Sequence, residues 1–144
     1  MVWIAAVVAL MLTVAVGLSA QDVGFQVIVH AENPTGSLER VKVSRMLQKR
    51  IVTWEDDVAV VPVDLKDDSD VRAAFSKTVH KKSINSIKNY WKRVIFSGKG
   101  VPPPELENDA AVIAFVAENR GAIGYVSGSA TLPAGVKVLQ VTYD

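Results

Sequence analysis

The stretch VAVVPVDLKDDSDVRAAFSKTVH, residues 58–80, decides the fold of this chain. Its first part, Val58 to Val63, is a continuous apolar run rich in β-branched residues, which is typical of a buried central strand. Ser69 then has the chemistry of a helix N-cap. After it, apolar and small residues recur at the spacing of one helix face: Val71, Ala74, Phe75, Thr78 and Val79. A strand followed directly by an amphipathic helix predicts an α/β domain.

Strands and helices continue to alternate on both sides of this stretch. Further strands are predicted over three segments: Phe25 to His30, Ala122 to Ser127, and Val136 to Tyr143. Gly124 lies inside a predicted strand, where a glycine often marks a close backbone approach. Further helices are predicted to begin at polar N-cap residues: Ser37, Ser83, and Asn108 or Asp109. The alternation predicts a mostly parallel sheet flanked by helices.

The first twenty residues have the pattern of a secretory signal peptide. Val2 to Leu18 is almost wholly apolar, and the small residue Ala20 stands before the polar pair Gln21-Asp22. We therefore expect a signal peptide at residues 1–20 and a domain at residues 21–144. The alternative is an uncleaved anchor, since the run is nearly long enough to span a bilayer. Either way the domain is expected outside the cytoplasmic membrane, as a periplasmic or secreted protein with no stable membrane insertion after cleavage.

Composition narrows the function classes. A chain of 144 residues suggests one domain, and the absence of cysteine excludes thiol chemistry and cysteine-ligated metals. A net charge of +1 provides no global field for nucleic acid. His30 and His80 are the only histidines, and neither stands in a triad or metal-ligand spacing. We expect no enzyme activity, no cofactor and no metal site.

Several landmarks follow one another in a definite order along the chain. They are Asn33-Pro34, Ser37-Leu38, Val52-Thr53-Trp54, the run from Val58 to Leu65 with Ser69, and Gly121-Ala122-Ile123-Gly124-Tyr125-Val126. Their order and spacing, over about residues 25–142, resemble one lobe of the phosphate-binding proteins that feed ABC transporters, which have the type II periplasmic binding-protein fold. The resemblance implies a solute-binding role, phosphate or another oxyanion as ligand, and an ABC permease as partner. A full binding protein has two lobes, whereas this chain is long enough for one.

The loop from Val63 to Val71 departs from the family pattern of an arginine followed by Ser-Gly-Thr. Ser69 matches the serine, Asp64 stands about where the arginine is expected, and Asp70 with Val71 replaces Gly-Thr. In the family the free N–H groups of a helix start favour the anion. Here the departures predict weak or undetectable phosphate binding. They also favour an alternative function, a non-enzymatic protein-interaction module of the cell envelope that kept the fold without the ligand loop.

Two interpretations remain for the polar residues of this loop. Ser69 is either an anion contact or a plain N-cap whose helix dipole is complemented by Asp70. The loop aspartates Asp64, Asp67, Asp68 and Asp70 either bind a hard cation such as Ca²⁺ or form a solvated acidic loop. Their spacing matches no EF-hand, so we expect the solvated loop.

A basic region follows, over two predicted helices. It comprises Lys77, His80, Lys81, Lys82, Lys88, Lys92, Arg93 and Lys99. These side chains either contact an acidic partner, a phosphorylated glycan or anionic lipid, or simply form the exposed faces of amphipathic helices. The candidate contacts are Lys81, Lys82 and Lys99. Phe75, Trp54 and Trp91, in contrast, are expected in the core.

Overall fold

The structure is a computed structural model, and it describes residues 24–144. The predicted signal peptide at residues 1–20 lies outside the described residues. Within residues 24–144, no helix combines the length and the apolar character needed to cross a membrane.

The described part of the chain contains eight strands and four α-helices. The strands are β1 Phe25–His30, β2 Ser37–Glu39, β3 Val61–Pro62, β4 Asp64–Leu65, β5 Glu105–Leu106, β6 Ala122–Ser127, β7 Val136–Val138 and β8 Gln140–Thr142. The helices are α1 Arg40–Leu47, α2 Asp70–Phe75, α3 Ile84–Phe96 and α4 Asp109–Glu118. A π-helical segment, Ser76–His80, continues directly from α2.

The strands form one central sheet and two small pairs. The central sheet has the order β3-β6-β1-β7, while β2 pairs with β8 and β4 pairs with β5. The pairings β3–β6, β2–β8 and β4–β5 are parallel. Both antiparallel pairings involve β1. The α/β fold with a mostly parallel set of pairings and flanking helices is thus confirmed, with β1 as the reason that the sheet is mixed.

Two consecutive residues of β6 show how the helices cover the sheet. A Cβ added at Gly124 would lie 2.8 Å from Val112 Cγ1, so α4 packs directly on this face, as the glycine predicted. The next side chain, Tyr125, points to the opposite face and stacks on Phe75 of α2. Helices α4 and α2 therefore lie on opposite faces of the sheet.

The core lies between these layers and contains the expected aromatic residues. Phe75, Trp54 and Trp91 are all buried. Trp54 also donates a hydrogen bond from Nε1 to the carbonyl oxygen of Gly121, at 2.9 Å. The largest fully buried aliphatic side chains of the core are Ile28, Leu47, Ile123, Leu139, Val29, Val43, Val63, Val79, Val112 and Val116.

Three of the predicted helix starts are confirmed by side-chain caps. Ser69 accepts a hydrogen bond from the Arg72 N–H, Ser83 from the Ser86 N–H, and Asn108 from the Ala111 N–H. The prediction at Ser37 was wrong. Ser37 lies in β2, where it pairs with β8, and α1 begins after Glu39 without a side-chain cap. Pairing between distant segments here overrides the local capping preference.

Two predicted strands are divided in the structure. The segment from Val58 to Val63 is not a central strand: only β3 joins the central sheet, at its edge. Farther along, β4 leaves that sheet and pairs with β5. The segment from Val136 to Tyr143 is likewise divided at Leu139 into β7 and β8, which belong to different sheets. In both segments the extended chain changes partners, which an apolar run cannot reveal.

Candidate functional site

The start of α2 at Ser69 is a locally satisfied helix cap. Ser69 Oγ accepts a hydrogen bond from the Arg72 N–H at 3.1 Å, and its carbonyl oxygen accepts one from the Ala73 N–H. The Ser69 N–H in turn donates to the carbonyl oxygen of Lys66 at 3.0 Å. Asp70, in the first turn, places a negative charge where the helix dipole favours one. The cap interpretation of Ser69 is confirmed, and an anion contact there stays a prediction.

Asp64 is buried, so the expectation of a solvated acidic loop was wrong for this residue. Its side chain is 6% exposed and accepts a 2.6 Å hydrogen bond from the hydroxyl of Tyr125. The same hydroxyl accepts a bond from the Leu65 N–H at 3.2 Å. The physical reason is the pairing of β4 with β5, which makes this part of the loop an extended segment packed beneath α2. Burial raises the pKa of the Asp64 carboxyl above its ordinary value.

Arg72 provides the positive charge that balances this buried carboxyl. It is 5% exposed, and its Nη1 donates to the Leu65 carbonyl oxygen and to Glu105 Oε1, both at 3.0 Å. Burial works against its charge, but the attraction of Asp64 and Glu105 raises the pKa of Arg72 overall. Two carboxylates therefore surround one inaccessible guanidinium. We call Asp64, Tyr125, Arg72 and the exposed Glu105 the Arg72 network, and it leaves no free cation for an external anion.

Two further charged residues of the same loop form ion pairs with residues outside it. Asp67 forms a 2.6 Å ion pair with Lys88 of α3, which lowers the pKa of Asp67. Lys66 forms an ion pair with Glu107. In the chain from residue 24 onward, no three His, Asp or Glu side chains come together in a way that could hold a metal ion. Asp68 and Asp70 are exposed and form no ion pair with any residue from 24 to 144, as expected for a solvated acidic loop.

Phe75 connects this network to a second polar cluster. Its ring stacks on Tyr125, with ring centres 3.9 Å apart and planes 4° from parallel. The ring of His80 meets Phe75 edge-on at 5.3 Å. His80 Nδ1 lies 2.8 Å from the hydroxyl of Ser44 and 3.5 Å from the side-chain amide of Gln48.

The sequence placed His80 in an exposed basic region, and for this residue the prediction was wrong. His80 is 8% exposed, because the π-helical segment turns it inward against α1. Burial, together with the positive charges of Arg72, Lys82 and Arg40, lowers the pKa of His80 to about 4. At neutral pH this imidazole is uncharged and adds nothing to an anion site.

An open groove lies between α2 with its π-helical extension and the beginning of α3. The chain reverses at Lys81, whose φ of 54° is in the left-handed region. Ser76 Oγ then donates a 2.7 Å hydrogen bond to the carbonyl oxygen of Lys82, and Ser83 caps α3. The groove has a volume of about 700 Å³. We call it the lysine groove, and its lining consists of Asp67, Ala73, Lys77, Lys81, Lys82, Ser83, Ile84 and Asn85.

The charges of the lysine groove are only partly balanced. Lys81 lies 3.5 Å from Asp144, and the one acid of the lining, Asp67, is engaged by Lys88. Lys77 and Lys82 are exposed, and neither forms an ion pair with any residue from 24 to 144. The positive end of the α3 dipole faces the same space. This arrangement leaves a local excess of positive charge in the groove, in contrast to the start of α2.

The three lysines proposed as contacts are not together. Lys81 and Lys82 line the groove with Lys77, but Lys99 follows the other end of α3, about 20 Å away along a helix of 13 residues. There the N–H of Gly98 bonds to the Ile95 carbonyl and the N–H of Lys99 to the Val94 carbonyl. With its φ of 68°, Gly98 ends the helix in the left-handed conformation that its C′ position predicted.

Sequence reasoning assigned no role in a site to three of the four residues of the Arg72 network. Arg72, Glu105 and Tyr125 each have a polar group, but they lie far apart along the chain. The one signal was Arg72 itself, which follows a helix cap and precedes a buried apolar face. Its role depends on the parallel pairing of β4 with β5, a contact between distant segments that no local pattern shows.

The described domain has the α/β fold of one lobe of a periplasmic binding protein. No protein-family model matches the sequence, and no curated protein matches it either. Solved structures do match. They include a proposed phosphate ABC transporter substrate-binding protein from Clostridium perfringens with bound phosphate (23% identity, TM-score 0.62) and an ABC-type phosphate transport receptor from Vibrio cholerae (19%, 0.62). A third is PstS from Borrelia burgdorferi (12%, 0.63).

Each of these neighbours covers 82% of this chain, whereas the chain spans only 44%, 46% and 47% of their respective lengths. The resemblance found in the sequence is thereby confirmed for the fold, and the share of each neighbour agrees with a single-lobe version. None of the three names describes an enzyme. At identities of 12–23%, this likeness establishes the architecture, and the ligand has to be argued from the residues of this chain.

Proposed function

We propose that this protein is an exported, non-enzymatic binding domain that takes a phosphate-bearing or other oxyanionic ligand in the lysine groove. The observation that supports this most strongly is the pair Lys77 and Lys82, which face a groove of about 700 Å³ without an acidic partner among residues 24–144. The neutral cap of α3 adds N–H groups and a favourable dipole to the same space. An envelope protein or an ABC permease is the partner that such a role implies.

The start of α2 is the less favourable of the two candidate positions. An anion beside Ser69 meets the exposed charge of Asp70, and the nearest guanidinium, Arg72, is buried and already bonded to Glu105. A like-charge contact at about 4 Å costs on the order of 1 kcal/mol in water and about 4 kcal/mol in a partly shielded site. We therefore assign Ser69 a structural role and place the ligand elsewhere.

The expected affinity follows from the exposure of the contacts. An exposed ion pair contributes about 0.2–1 kcal/mol and a helix start about 0.3–1 kcal/mol. Three lysines and one helix start therefore supply at most about 4 kcal/mol, so the dissociation constant for inorganic phosphate is expected to be about 1 mM or weaker. A ligand with several phosphate groups uses more of the groove, so tripolyphosphate is expected to bind about ten-fold more tightly.

Titration calorimetry tests this proposal with inorganic phosphate and tripolyphosphate as probes. The double variant Lys77→Gln/Lys82→Gln is expected to weaken tripolyphosphate binding about ten-fold, because it removes both unpaired charges. Lys99→Gln is the matched control: it removes one exposed lysine at the far end of α3 and is expected to leave the affinity unchanged.

Two results would contradict the proposal. Unchanged affinity in the double variant would show that the lysines do not hold the anion. Absence of binding by both probes would remove the anion-binding function altogether. In that case the alternative is a protein-interaction module, for which the exposed apolar residues at the end of α3 are the relevant observation.

A further inference from the structure

The C-terminal end of α3 projects from the domain with apolar side chains in solvent. Only Ile87 and Trp91 of this helix are buried. Its middle is held by Tyr90, whose hydroxyl donates a 3.1 Å hydrogen bond to the Gln48 carbonyl oxygen. Beyond that point Ile95 is 51% exposed and Phe96 is 92% exposed. Within residues 24–144, Phe96 is thus left almost wholly uncovered and Ile95 is about half covered.

The turn after the helix brings a third apolar residue to the same place. The left-handed conformation of Gly98 ends α3, and a Cβ added at Gly100 would lie 3.8 Å from Val94. The chain thus folds back against the last turn of the helix, and Val101, 63% exposed, follows immediately. We call Ile95, Phe96 and Val101 the α3 tip. It protrudes, since a phenylalanine that is 92% exposed has almost no neighbour on any side.

The charge around the α3 tip has one sign. From Val71 to Pro104 the sequence contains no Asp or Glu, yet it holds eight of the chain's 16 Lys and Arg residues. The basic side chains on the last turns of α3 and in the following turn are Lys92, Arg93 and Lys99. All three are exposed, and none is ion-paired within residues 24–144.

We propose that the α3 tip docks on an anionic membrane surface, with Phe96, Ile95 and Val101 entering the headgroup region and the three basic residues contacting lipid phosphates. Charge complementarity selects an anionic surface and excludes a second copy of the same basic tip, because the two copies would repel each other. The protruding shape selects a bilayer, since a fluid interface accepts a convex aromatic tip without a matching pocket. Amphipathic basic elements with exposed aromatic residues bind bilayers in this way. This docking goes beyond the lysine groove and does not depend on it.

A fluorescent label at the tip tests the proposal directly. The chain has no cysteine, so Phe96→Cys creates a unique site for an environment-sensitive dye that replaces the aromatic ring. Glu118→Cys is the matched control, because Glu118 is exposed on α4 and α4 lies on the opposite face of the sheet from α2. The labelled protein, without the predicted signal peptide, is mixed with one of two kinds of vesicle. One kind is phosphatidylcholine alone, and the other is phosphatidylcholine with 30% phosphatidylglycerol.

The expected result is a blue shift of the dye at position 96 with phosphatidylglycerol vesicles only, and no shift at position 118 with either vesicle. Adding Lys92→Gln, Arg93→Gln and Lys99→Gln to the position-96 protein is expected to raise the lipid concentration for half-maximal shift about 100-fold. Each basic residue near an anionic surface accounts for about a five-fold change.

Other occupants of the tip give different results, and each would overturn the proposal. A dye that is already blue-shifted without vesicles, and unchanged by them, would show that the tip is covered by residues 1–23 or by a second copy. A shift with polyglutamate but not with anionic vesicles would indicate an acidic protein. Equal shifts with both vesicle types would show that the tip does not select an anionic surface.

Discussion

Two helix starts in this domain have the same cap and opposite surroundings. At α2 and at α3 a serine hydroxyl accepts a hydrogen bond from the N–H three residues later, at 3.1 Å in each case. Around Ser69 the nearest charges are acidic or are already balanced within the protein. Around Ser83 the nearest charges are lysines, two of which have no acidic partner in the described chain.

The difference shows that a helix start alone does not define an anion site. The dipole is common to both positions and contributes about 0.3–1 kcal/mol. The side chains nearby decide whether this contribution is reinforced or cancelled. At the start of α2, which stands where the family has its phosphate loop, the acidic side chains cancel the contribution of the helix dipole. At the start of α3 the lysines reinforce it.

The largest expected effect comes from Phe75, whose ring connects the two regions through Tyr125 and His80. Because Phe75 is 1% exposed, Phe75→Ala is expected to lower the free energy of unfolding by about 3–5 kcal/mol. The double change Lys81→Glu/Lys82→Glu is the surface control and is expected to change it by no more than about 1 kcal/mol. Urea melts measure both. Similar small effects for the two variants would show that Phe75 does not join the regions.

A pH dependence of stability is expected from His80. Its pKa of about 4 in the folded protein lies below the ordinary value of 6.5, so its contribution is complete above pH 6.5 and is lost as the pH falls to about 4. The loss amounts to about 3 kcal/mol. His80→Asn keeps a partner for Ser44 but cannot be charged, so urea melts of this variant between pH 4 and pH 6.5 should show a flatter dependence.

Asp64 changes the pH dependence of stability in the opposite direction. The wild type must therefore be compared with the His80→Asn variant. Burial raises the pKa of Asp64, so its contribution is complete below 3.8 and is lost as the pH rises through the raised value. Wild-type curves contain both effects, whereas the difference between wild type and His80→Asn isolates the histidine. A difference that does not vary with pH would mean that His80 is not buried as an uncharged group.

A smaller loss is expected when the Arg72 network loses one buried hydroxyl. Tyr125→Phe keeps the stacking on Phe75 but removes the hydrogen bonds to Asp64 and from the Leu65 N–H. Leaving these buried groups unpaired costs about 1–3 kcal/mol. Thermal or urea unfolding measures the change. An unaffected stability, with Asp64 still buried, would show that the network contributes little to holding the loop closed.

The two serine caps give the smallest and most direct comparison of stability. Ser69→Ala and Ser83→Ala each remove one cap and are each expected to cost about 1 kcal/mol. Neither change is expected to alter the affinity for anions in proportion to the loss of stability, since the groove depends on the lysines and the backbone N–H groups. Loss of anion binding in Ser69→Ala alone would reverse the roles assigned to the two helix starts.

Local chemistry in the sequence predicted the caps but not their surroundings. Ser69, Ser83, Asn108 and the C′ glycine Gly98 were identified correctly, because each depends on a few neighbouring residues. A glycine inside a predicted strand also indicated the close approach at Gly124, although its partners Val112 and Val63 lie in other segments. The helix caps require no knowledge of distant segments.

The charges of the two regions could not be predicted in the same way. The sequence predicts a solvated loop around Asp64, because the burial of this residue depends on Tyr125, some sixty residues away. His80 belonged to a basic run in the sequence, but its inward orientation depends on the π-helical segment and on Ser44. Which charges remain exposed is therefore a property of the tertiary structure, and it is this property that distinguishes the two helix starts.

The central claim is that the anion is attracted to the start of α3 and not to the start of α2. The most direct test is a titration with inorganic phosphate followed by ¹H–¹⁵N NMR, which reports on each backbone N–H separately. We predict saturable shifts at Ile84 and Asn85 with a dissociation constant of about 1 mM or weaker, and no comparable shifts at Asp70 and Val71. Shifts centred on Asp70 and Val71 with micromolar or tighter affinity, lost in Ser69→Ala, would contradict the claim.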